Sequence, residues 1–390
     1  MKQLRILFPF IGGGTVGGSH ISALKLIAGL DRDRFDPTIL LHDLDGTGPG
    51  RLGEYIHSLG LSYQTLSDVP IMAPSHSTAS GHTSFGTYLT RTLPALRRYL
   101  IKGGYDIVHT NDGRMHVNWA LPTRLAGCKL IWHHREDPTS FGANTIAPFL
   151  ANRIVTVSNF ARPSRPLLPV KKRTHVVYSP FEFEEQPDRE AARTALLDEI
   201  NAGKDPLLIG FFGSLVPRKR PVEFVQAVAE TVKALPNRDV HGLLFGEAIL
   251  PHAPLDRDAL ELADRLGIRD RIHMMGFRRP INGPMAAMDA TIVTAVNEPF
   301  GRTLIEAMHL GVPVIATQHG GNMEAIEDGR TGRLVPTDDA GAFADAIVHL
   351  EGNPDDRASL VAAARDDLVN RYGAERHIQQ ISQIYEDFLS

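Results

Sequence analysis

The stretch from Asn297 to Pro336 reads NEPFGRTLIEAMHLGVPVIATQHGGNMEAIEDGRTGRLVP, and the fold of the second half of the chain follows from it. Apolar residues at three- and four-residue spacing predict a short helix from Arg302 to Leu310 with one side packed inward. Gly311 ends this helix, and the apolar run at 314–316 predicts a strand buried on both faces. A short helix that leads into a buried strand indicates an α/β domain.

Two acids flank the start of the predicted helix. Glu298 precedes the turn at Phe300-Gly301, and Glu306 lies on the first turns of the helix. The first backbone N–H groups of a helix have no partner within the helix, and the helix dipole favours an anion there. A carboxylate is a good acceptor for paired sugar hydroxyls. The pattern therefore predicts an anion site with a sugar site beside it.

The same stretch resembles the retaining glycosyltransferases of family four, which have the GT-B fold. Glu298 and Glu306 reproduce the family's E-x7-E motif, and E-P-F-G, G-x-P-V-I-A-T, G-G-N-x-E and D-G-x-T-G-x-L-V also match. The resemblance implies that Glu306 accepts hydrogen bonds from ribose hydroxyls and that Glu298, as a catalytic residue, holds the donor sugar. It further implies that the start of the helix binds the donor diphosphate through Phe300, Gly301, Arg302 and Thr303.

Composition excludes several classes of protein. A chain of 390 residues with 43% hydrophobic content predicts two domains, and a net charge of −4 argues against a nucleic-acid binder. We find no apolar run of about eighteen residues, so we expect no transmembrane helix. Cys128 is the only cysteine, which argues against disulfides and a cysteine-based zinc site. We expect a cytoplasmic protein, with peripheral contact to the inner face of a membrane left open.

The N-terminal segment supports two interpretations. The strand at 4–10 leads through a glycine loop into a helix predicted from about Ser19 to Leu30. Gly12, Gly14 and Gly17 form a literal G-x-G-x-x-G, which is typical of dinucleotide-binding domains. Alternatively, Gly17-Gly18 is similar to the first loop of the glycosyltransferase family, where a glycine pair lets the backbone approach the donor diphosphate.

Polar residues follow two further predicted strands in this half. The strand at 105–109 ends at His109, and the strand at 128–132 ends in His133, His134 and Arg135. Ligands of open α/β folds bind at this carboxyl edge of the sheet. The resemblance implies a histidine here that contacts the donor sugar or the acceptor: His134, a catalytic candidate, fits one register, and His133 or Arg135 fits another. Neighbours in a strand point to opposite faces, so we expect no metal at the paired histidines.

The second half repeats the pattern of a strand, a loop and a helix. After the strand at 207–212, Lys219 stands at the lysine position of the family's G-R-x-x-x-x-K-G motif, but Ser214 replaces the arginine. Arg218 or Arg220 could supply the missing charge. Cations at the start of a helix are unfavourable unless an anion binds, which favours a functional role. Arg278 is a further donor-binding candidate, because it lies where the family's backbone reads the base.

Alternating strands and helices predict two doubly wound α/β domains, and the resemblance makes them the two Rossmann-like domains of the GT-B fold, facing each other across a cleft. We place an acceptor-side domain at 1–181, a nucleotide-sugar-binding domain at 182–372 and a helix crossing back to the first domain at 373–390. The polar loop at 70–84 would lie on the acceptor side. The basic residues of the predicted helix at 87–101 and of the stretch 162–173 indicate either solvated faces or membrane contact.

Three functions compete. The resemblance implies a retaining hexosyltransferase of cell-envelope polysaccharide biosynthesis that uses a UDP- or GDP-sugar donor and a sugar-containing acceptor, a glycan, a small molecule or a lipid-linked glycan. Lys219, helped by Arg218, would stabilise the leaving diphosphate. The alternatives are an NAD-dependent oxidoreductase and a non-catalytic sugar-nucleotide binder. A GT-B epimerase or phosphorylase is a further alternative. We expect no cofactor. We also expect no required metal, because the literal D-x-D at 43–45 lies in the acceptor half. The identities of the sugar, the base and the acceptor and the oligomeric state stay open.

Overall fold

The computed structural model describes residues 3–13, 16–44, 46, 48–73, 83–181, 183, 186–250 and 252–389. The chain divides into two compact units: unit 1 comprises Met1–Glu182 with Tyr372–Ser390, and unit 2 comprises Phe183–Arg371. The domain boundaries drawn from the sequence stay a prediction. Gly14, Asp45, Glu182 and most of the loop at 70–84 (74–82) lie outside the described residues.

Unit 1 contains a parallel sheet of seven strands in the order β3-β2-β1-β4-β5-β6-β7. Its strands are β1 Leu4–Ile11, β2 Phe35–His42, β3 Tyr63–Leu66, β4 Ile107–Thr110, β5 Lys129–His134, β6 Arg153–Thr156 and β7 Thr174–Val176. The helices between them are α1 Gly18–Gly29, α2 Gly50–Ser58, α3 Phe85–Thr87, α4 Leu93–Gly103, α5 Gly113–Ala126 and α6 Ala147–Leu150. The helix predicted at 87–101 is interrupted by a π-helical turn, Tyr88–Thr92, just before Pro94.

Unit 2 contains a parallel sheet of six strands in the order β10-β9-β8-β11-β12-β13. Its strands are β8 Leu207–Phe212, β9 Val240–Phe245, β10 Ile272–Met274, β11 Ala290–Val293, β12 Val314–Thr317 and β13 Arg333–Val335. The helices are α7 Arg189–Ile200, α8 Pro221–Ala234, α9 Leu255–Leu266, α10 Asn282–Ala286, α11 Arg302–His309, α12 Asn322–Ala325, α13 Ala340–Gly352 and α14 Pro354–Tyr372. The predicted bounds of β8 are confirmed, because it is an unbroken apolar run buried on both faces.

The last helix, α15 (Ala374–Glu386), belongs to unit 1. It packs against α1, and its residues Ile381, Ile384 and Tyr385 join the buried core over β1 and β2. A backbone bridge between Phe181 and Gly373 marks the point where the chain returns. Unit 1 is therefore completed by residues from the far end of the sequence.

The strand order reverses between β1 and β4 in unit 1 and between β8 and β11 in unit 2. At such a switch point neighbouring strands send their loops to opposite sides, which leaves a crevice at the carboxyl edge of the sheet where ligands bind in open α/β folds. The candidate site residues lie at the carboxyl ends of these four strands and of β5 and β10, or in the loops and helix starts that follow them. The observed fold is therefore two Rossmann-like α/β units, as predicted.

Candidate functional site

The loops after β8 and β11 are joined by hydrogen bonds to backbone carbonyls at the switch point of unit 2. The hydroxyl of Thr294 donates to the carbonyls of Lys219 and Arg220, at 2.8 and 2.9 Å. The amide of Val296 donates to the carbonyl of Arg218 at 2.9 Å. A single 3-10 turn, Pro217–Lys219, is thereby fixed against the segment that leads to Glu298.

Glu298 is buried and holds two cations at once. Its Oε2 atom lies 2.7 Å from Lys219 Nζ and 2.5 Å from Arg218 Nη1. Burial alone would raise the pKa of Glu298, but the charges and hydrogen bonds of Lys219 and Arg218 outweigh burial and hold its pKa below the ordinary value. The carboxylate is therefore ionised, and the ammonium and guanidinium groups converge on one point.

The turn after Glu298 depends on two glycines. Gly301, the N-cap of α11, has φ +80°, in the left-handed region that glycine adopts without strain. Gly321 lies under the turn: its amide donates to the carbonyl of Glu298 at 2.8 Å, and an added Cβ would approach the carbonyl oxygen of Pro299 to 2.8 Å. The buried ring of Phe300 completes the turn. The geometry of this turn thus follows from close backbone packing, and the turn leads directly into the first amides of α11, which have no partner within the helix.

The first turns of α11 carry the other donor-binding candidates of unit 2. Glu306 is half-buried, and its Oε1 atom lies 3.5 Å from Arg302 Nη2, one helical turn earlier. Thr303 lies between them in the first turn. Glu306 and Glu298 therefore come from one turn-and-helix segment, as the sequence indicated, and their roles stay predictions.

The structure separates the three arginines that were candidates for nucleotide contacts. Arg220 forms ion pairs with Glu223, at 3.0 Å, and with Asp338, so its charge is directed away from Glu298. Arg218 is the arginine that joins Lys219. Arg278 forms a two-point ion pair with Glu199 on α7, and its guanidinium carbon lies 5.4 Å from the centre of the Phe245 ring. Its guanidinium is thus engaged within unit 2, and a donor-binding role for Arg278 stays a prediction.

In unit 1, Gly17 is the N-cap of α1, and Gly18 is its first residue. The ring of His20 accepts a hydrogen bond from the Gly17 amide at 3.1 Å, through Nδ1. Burial, and then the charge of Arg135, lower the pKa of His20, which keeps the ring neutral and able to accept. His20 therefore caps the start of α1.

His109 and His133 form a buried chain behind the loop edge of unit 1. His109 Nδ1 lies 2.6 Å from the Tyr385 hydroxyl on α15, and His109 Nε2 lies 3.0 Å from His133 Nδ1. Both rings are fully buried, and burial followed by the charge of Arg135 lowers both pKa values well below the ordinary range. The chain therefore consists of neutral rings that link α15 to the sheet.

His134 and Arg135 differ in access. His134 is fully buried, and its Nε2 lies 3.0 Å from the carbonyl of Asp137. Arg135 is half-buried, and its guanidinium donates to Ser179 Oγ at 3.2 Å and to Asn111 Oδ1 at 3.4 Å. Among the three candidates at the end of β5, Arg135 is the one that reaches solvent in this structure.

Some residues of the two sites could not be found from the sequence. Asn322 is buried behind Gly321, and its amide donates to the carbonyl and hydroxyl of Thr317; the G-G-N-x-E motif was its only signal. Tyr385 has no sequence signal, because it lies 276 residues from His109. In the described part of the chain, no group of three His, Cys, Asp or Glu side chains is placed to hold a metal ion. Within the same residues, every helix is too short or too polar to span a bilayer.

Parts of the chain are similar in sequence to known proteins. Residues 206–353 match the family described as "Glycosyl transferases group 1". Over 198 residues the chain is 31% identical to the D-inositol 3-phosphate glycosyltransferase of Corynebacterium urealyticum, a match that covers 50% of this chain and 46% of that protein. Over 214 residues it is 29% identical to the lipopolysaccharide core biosynthesis mannosyltransferase LpsB of Rhizobium meliloti, covering 53% and 58%. The chain spans about half the length of the curated relatives it matches.

Among solved structures, Anabaena HepE in complex with UDP-glucose superposes with a TM-score of 0.78 at 22% identity, covering 99% of this chain and 100% of that one. At this identity the likeness shows a common fold. The match to the group 1 glycosyltransferase family therefore lies within unit 2, and the two Rossmann-like units have the GT-B fold.

Proposed function

We propose that this protein is a retaining glycosyltransferase that moves a hexose from a UDP- or GDP-sugar to a sugar-containing acceptor. The observation that carries the proposal is the convergence of Lys219 and Arg218 on the buried carboxylate of Glu298, directly before the N-terminus of α11. Two cations and a helix N-terminus form a site for a diphosphate. The relatives support it, since two are described as an inositol phosphate glycosyltransferase and a mannosyltransferase.

Arg218 takes the place of the cation that Ser214 removes. Ser214 is exposed, and the guanidinium of Arg218 lies beside the ammonium of Lys219 at the same oxygen of Glu298. The site therefore has two converging positive charges despite the changed motif. This favours a catalytic protein over a non-catalytic sugar-nucleotide binder, since cations at the leaving group stabilise charge that grows in the transition state.

Glu298 neutralises these cations until the donor binds. An incoming diphosphate competes for Lys219 and Arg218, because it offers more negative charge and more acceptor oxygens than one carboxylate. Glu298 is then released to accept hydrogen bonds from hydroxyls of the donor sugar. Glu306, on the next turns of α11, accepts from the ribose hydroxyls, and Arg135 of unit 1 contacts the sugar or the acceptor.

In the reaction, the bond between the anomeric carbon and the phosphate oxygen breaks, and the diphosphate leaves with the electron pair. An acceptor hydroxyl forms the new bond on the same face of the sugar, and its proton passes to the departing phosphate oxygen. Lys219, Arg218 and the first amides of α11 stabilise the charge on that oxygen. No protein nucleophile and no metal are required in this scheme.

The test is a panel of UDP- and GDP-sugars, with slow release of UDP or GDP measured without acceptor and nucleotide affinity measured by calorimetry. We expect Glu306→Gln to weaken nucleotide binding by at least about tenfold, since hydrogen bonds to a charged group are lost. Glu298→Gln should retain nucleotide binding but lose most of the turnover. Glu261→Gln, an exposed glutamate on α9, is the matched control and should change neither.

Each alternative predicts a different result. Binding of NAD in place of UDP and GDP would identify an oxidoreductase, and binding of a sugar nucleotide without any turnover would identify a non-catalytic binder. For the stereochemistry, proton NMR of the first sugar released from an α-linked donor should show the α-anomer. Initial release of the β-anomer would contradict retention.

A further inference from the structure

One segment of unit 1 carries a charge opposite to that of the whole chain. Residues 138–181 contain no Asp or Glu and six basic residues, although the chain as a whole has a net charge of −4. The six are Arg153, Arg162, Arg165, Lys171, Lys172 and Arg173. Such a block sets up a local positive potential that attracts an anionic partner.

The same segment exposes large apolar side chains. Phe141, Phe149, Leu167 and Leu168 are 73%, 55%, 63% and 41% exposed, respectively. A single exposed apolar side chain is ordinary, but a group of them on one surface indicates an interaction site. Hydrogen bonds within the segment determine whether these four side chains share a surface.

Asn144 brings the first part of the segment together. It is buried, its side-chain amide donates to the carbonyls of Pro138 and Ser140, and its Oδ1 accepts from the Arg165 amide at 2.7 Å. Its backbone carbonyl accepts from the Leu167 amide at 2.9 Å. The loop that carries Leu167 is therefore fixed against the helical segment that starts beside Phe141.

Arg173 brings the second part together. Its guanidinium donates to the carbonyl of Ala151 at 2.5 Å and to the carbonyl of Pro148. The turn Lys171–Arg173 therefore lies beside the end of α6, where Phe149 is exposed. Lys171 and Lys172 are exposed, and no described acidic side chain forms an ion pair with either.

We propose that this surface docks on an anionic lipid bilayer. We call it the basic face, and its members are Phe141, Phe149, Arg165, Leu167, Leu168, Lys171 and Lys172. Apolar side chains flanked by lysine and arginine suit the boundary between headgroups and acyl chains, where rings and aliphatic tips insert and cations meet the lipid phosphates. Nucleic acid would use the cations but leave the leucines and phenylalanines in water. The inference does not depend on the proposed sugar transfer.

The experiment is co-sedimentation of the full chain with vesicles of phosphatidylcholine and phosphatidylglycerol in equal amounts, and with vesicles of phosphatidylcholine alone. We expect binding to the anionic vesicles that weakens as salt is raised. The double variant K171E/K172E should lower the partition coefficient by at least about tenfold, because two attractive charges become repulsive. F141S/L167S should lower it by about tenfold through the loss of inserted apolar surface.

Two controls make the assay specific. R98E/K102E changes the charge of unit 1 by the same amount on α4 and should reduce binding much less. Val369→Ser removes an exposed apolar side chain from α14 in unit 2 and should have no effect. The proposal is overturned by equal binding to the neutral vesicles, by no binding to the anionic ones, or by an equal loss in R98E/K102E. Release of UDP or GDP in solution should be unchanged in all four variants, so failure of the lipid test and failure of the proposed function are separate results.

Discussion

The two units have the same strand order around their switch points but place different electrostatics there. In unit 2 the crevice holds an ionised carboxylate, Glu298, between Lys219 and Arg218. In unit 1 neutral histidines lie behind the crevice. Burial lowers the pKa values of His20, His109 and His133, and the charge of Arg135 lowers them further. The reversed strand order fixes where a site forms, and the side chains decide which charge it accepts.

The two units also differ in the charge state of their buried titratable side chains. In unit 2 the buried acid stays charged because partners of opposite charge are within hydrogen-bond distance. In unit 1, His109 bonds to the neutral Tyr385 and His133 lies beside the cation Arg135, so both buried imidazoles remain uncharged. Unit 2 is therefore prepared to exchange one anion for another. Unit 1, in contrast, is sensitive to acid, because protonation would place charge on its buried imidazoles.

The largest effect we expect is acid unfolding of unit 1. Burial, and then the charge of Arg114, lower the pKa of His42 to about 4, below its ordinary value of 6.5. The stabilisation is therefore complete above about pH 6.5 and is lost as the pH falls to 4, which amounts to about 3 kcal/mol for His42 alone. Burial also lowers the pKa values of His109, His116, His133, His134 and His377.

Tryptophan emission measures this transition in unit 1 alone, since the two tryptophans of the chain, Trp119 and Trp132, are both buried there. Trp119 donates to His42 Nε2 at 3.0 Å, a bond that a protonated ring cannot accept. His42→Gln keeps an acceptor that does not titrate and should move the midpoint to lower pH. The exposed His252→Gln should leave it unchanged. Constant tryptophan emission down to pH 4 would contradict the conclusion that the buried neutral histidines make unit 1 sensitive to acid.

The next largest effect concerns the charge pair of unit 2. Lys219→Ala should lower the rate of donor cleavage by about 100-fold, as expected when one fixed donor to a leaving group is removed. Arg218→Ala should cost less, because its side chain is 46% exposed. The exposed Lys204→Ala serves as the control, and release of UDP or GDP is the measurement. Equal rates in Lys219→Ala and Lys204→Ala would remove the electrostatic role assigned to unit 2.

A moderate effect is expected where the turn before α11 packs on Gly321. In Gly321→Ala the new Cβ meets the carbonyl oxygens of Pro299 and Glu298 at 2.8 and 3.0 Å, which should lower the free energy of unfolding by about 1–3 kcal/mol. Urea unfolding followed by circular dichroism measures it. Gly352→Ala is the control, because no heavy atom lies within 4 Å of its Cβ position. Equal midpoints for the two variants would show that the turn can move aside.

The smallest effect distinguishes strain from ion pairing at Arg220. This residue has φ +56°, and it forms ion pairs with Glu223 and the exposed Asp338. Arg220→Gly loses the pairs but relieves the left-handed strain, so its free energy of unfolding should stay within about 0.5 kcal/mol of the wild type. Arg220→Ala also loses the pairs but keeps the strain, so its free energy of unfolding in urea should be about 1 kcal/mol lower than that of Arg220→Gly. If the two variants are equally stable, the left-handed backbone has no cost here.

The fold could be predicted because its signals are local. The run that forms β8 is unbroken and apolar, and a glycine follows it, so both of its ends could be placed from the sequence. The helix predicted at 87–101 could not be placed as well, because Pro94 lacks an amide and a π-helical turn takes up the break before α4.

The candidate site could be predicted only in part, because its geometry is non-local. The E-x7-E spacing placed Glu298 and Glu306 on one short segment, but Arg218 joins Glu298 across 80 residues of sequence. Nor does a pattern in the sequence decide between Arg218 and Arg220; the contacts of Arg220 with Asp338 decide it. At the end of β5, His134 and Arg135 are adjacent in sequence, and only burial separates them.

The return of α15 to unit 1 has a consequence for biosynthesis. Ile381, Ile384 and Tyr385 fill the seam over the first two strands, yet the ribosome makes them after every residue of unit 2. A nascent chain therefore exposes that seam throughout translation, while unit 2 already has all of its own strands. Unit 1 is therefore the unit whose synthesis begins first and whose core is completed last.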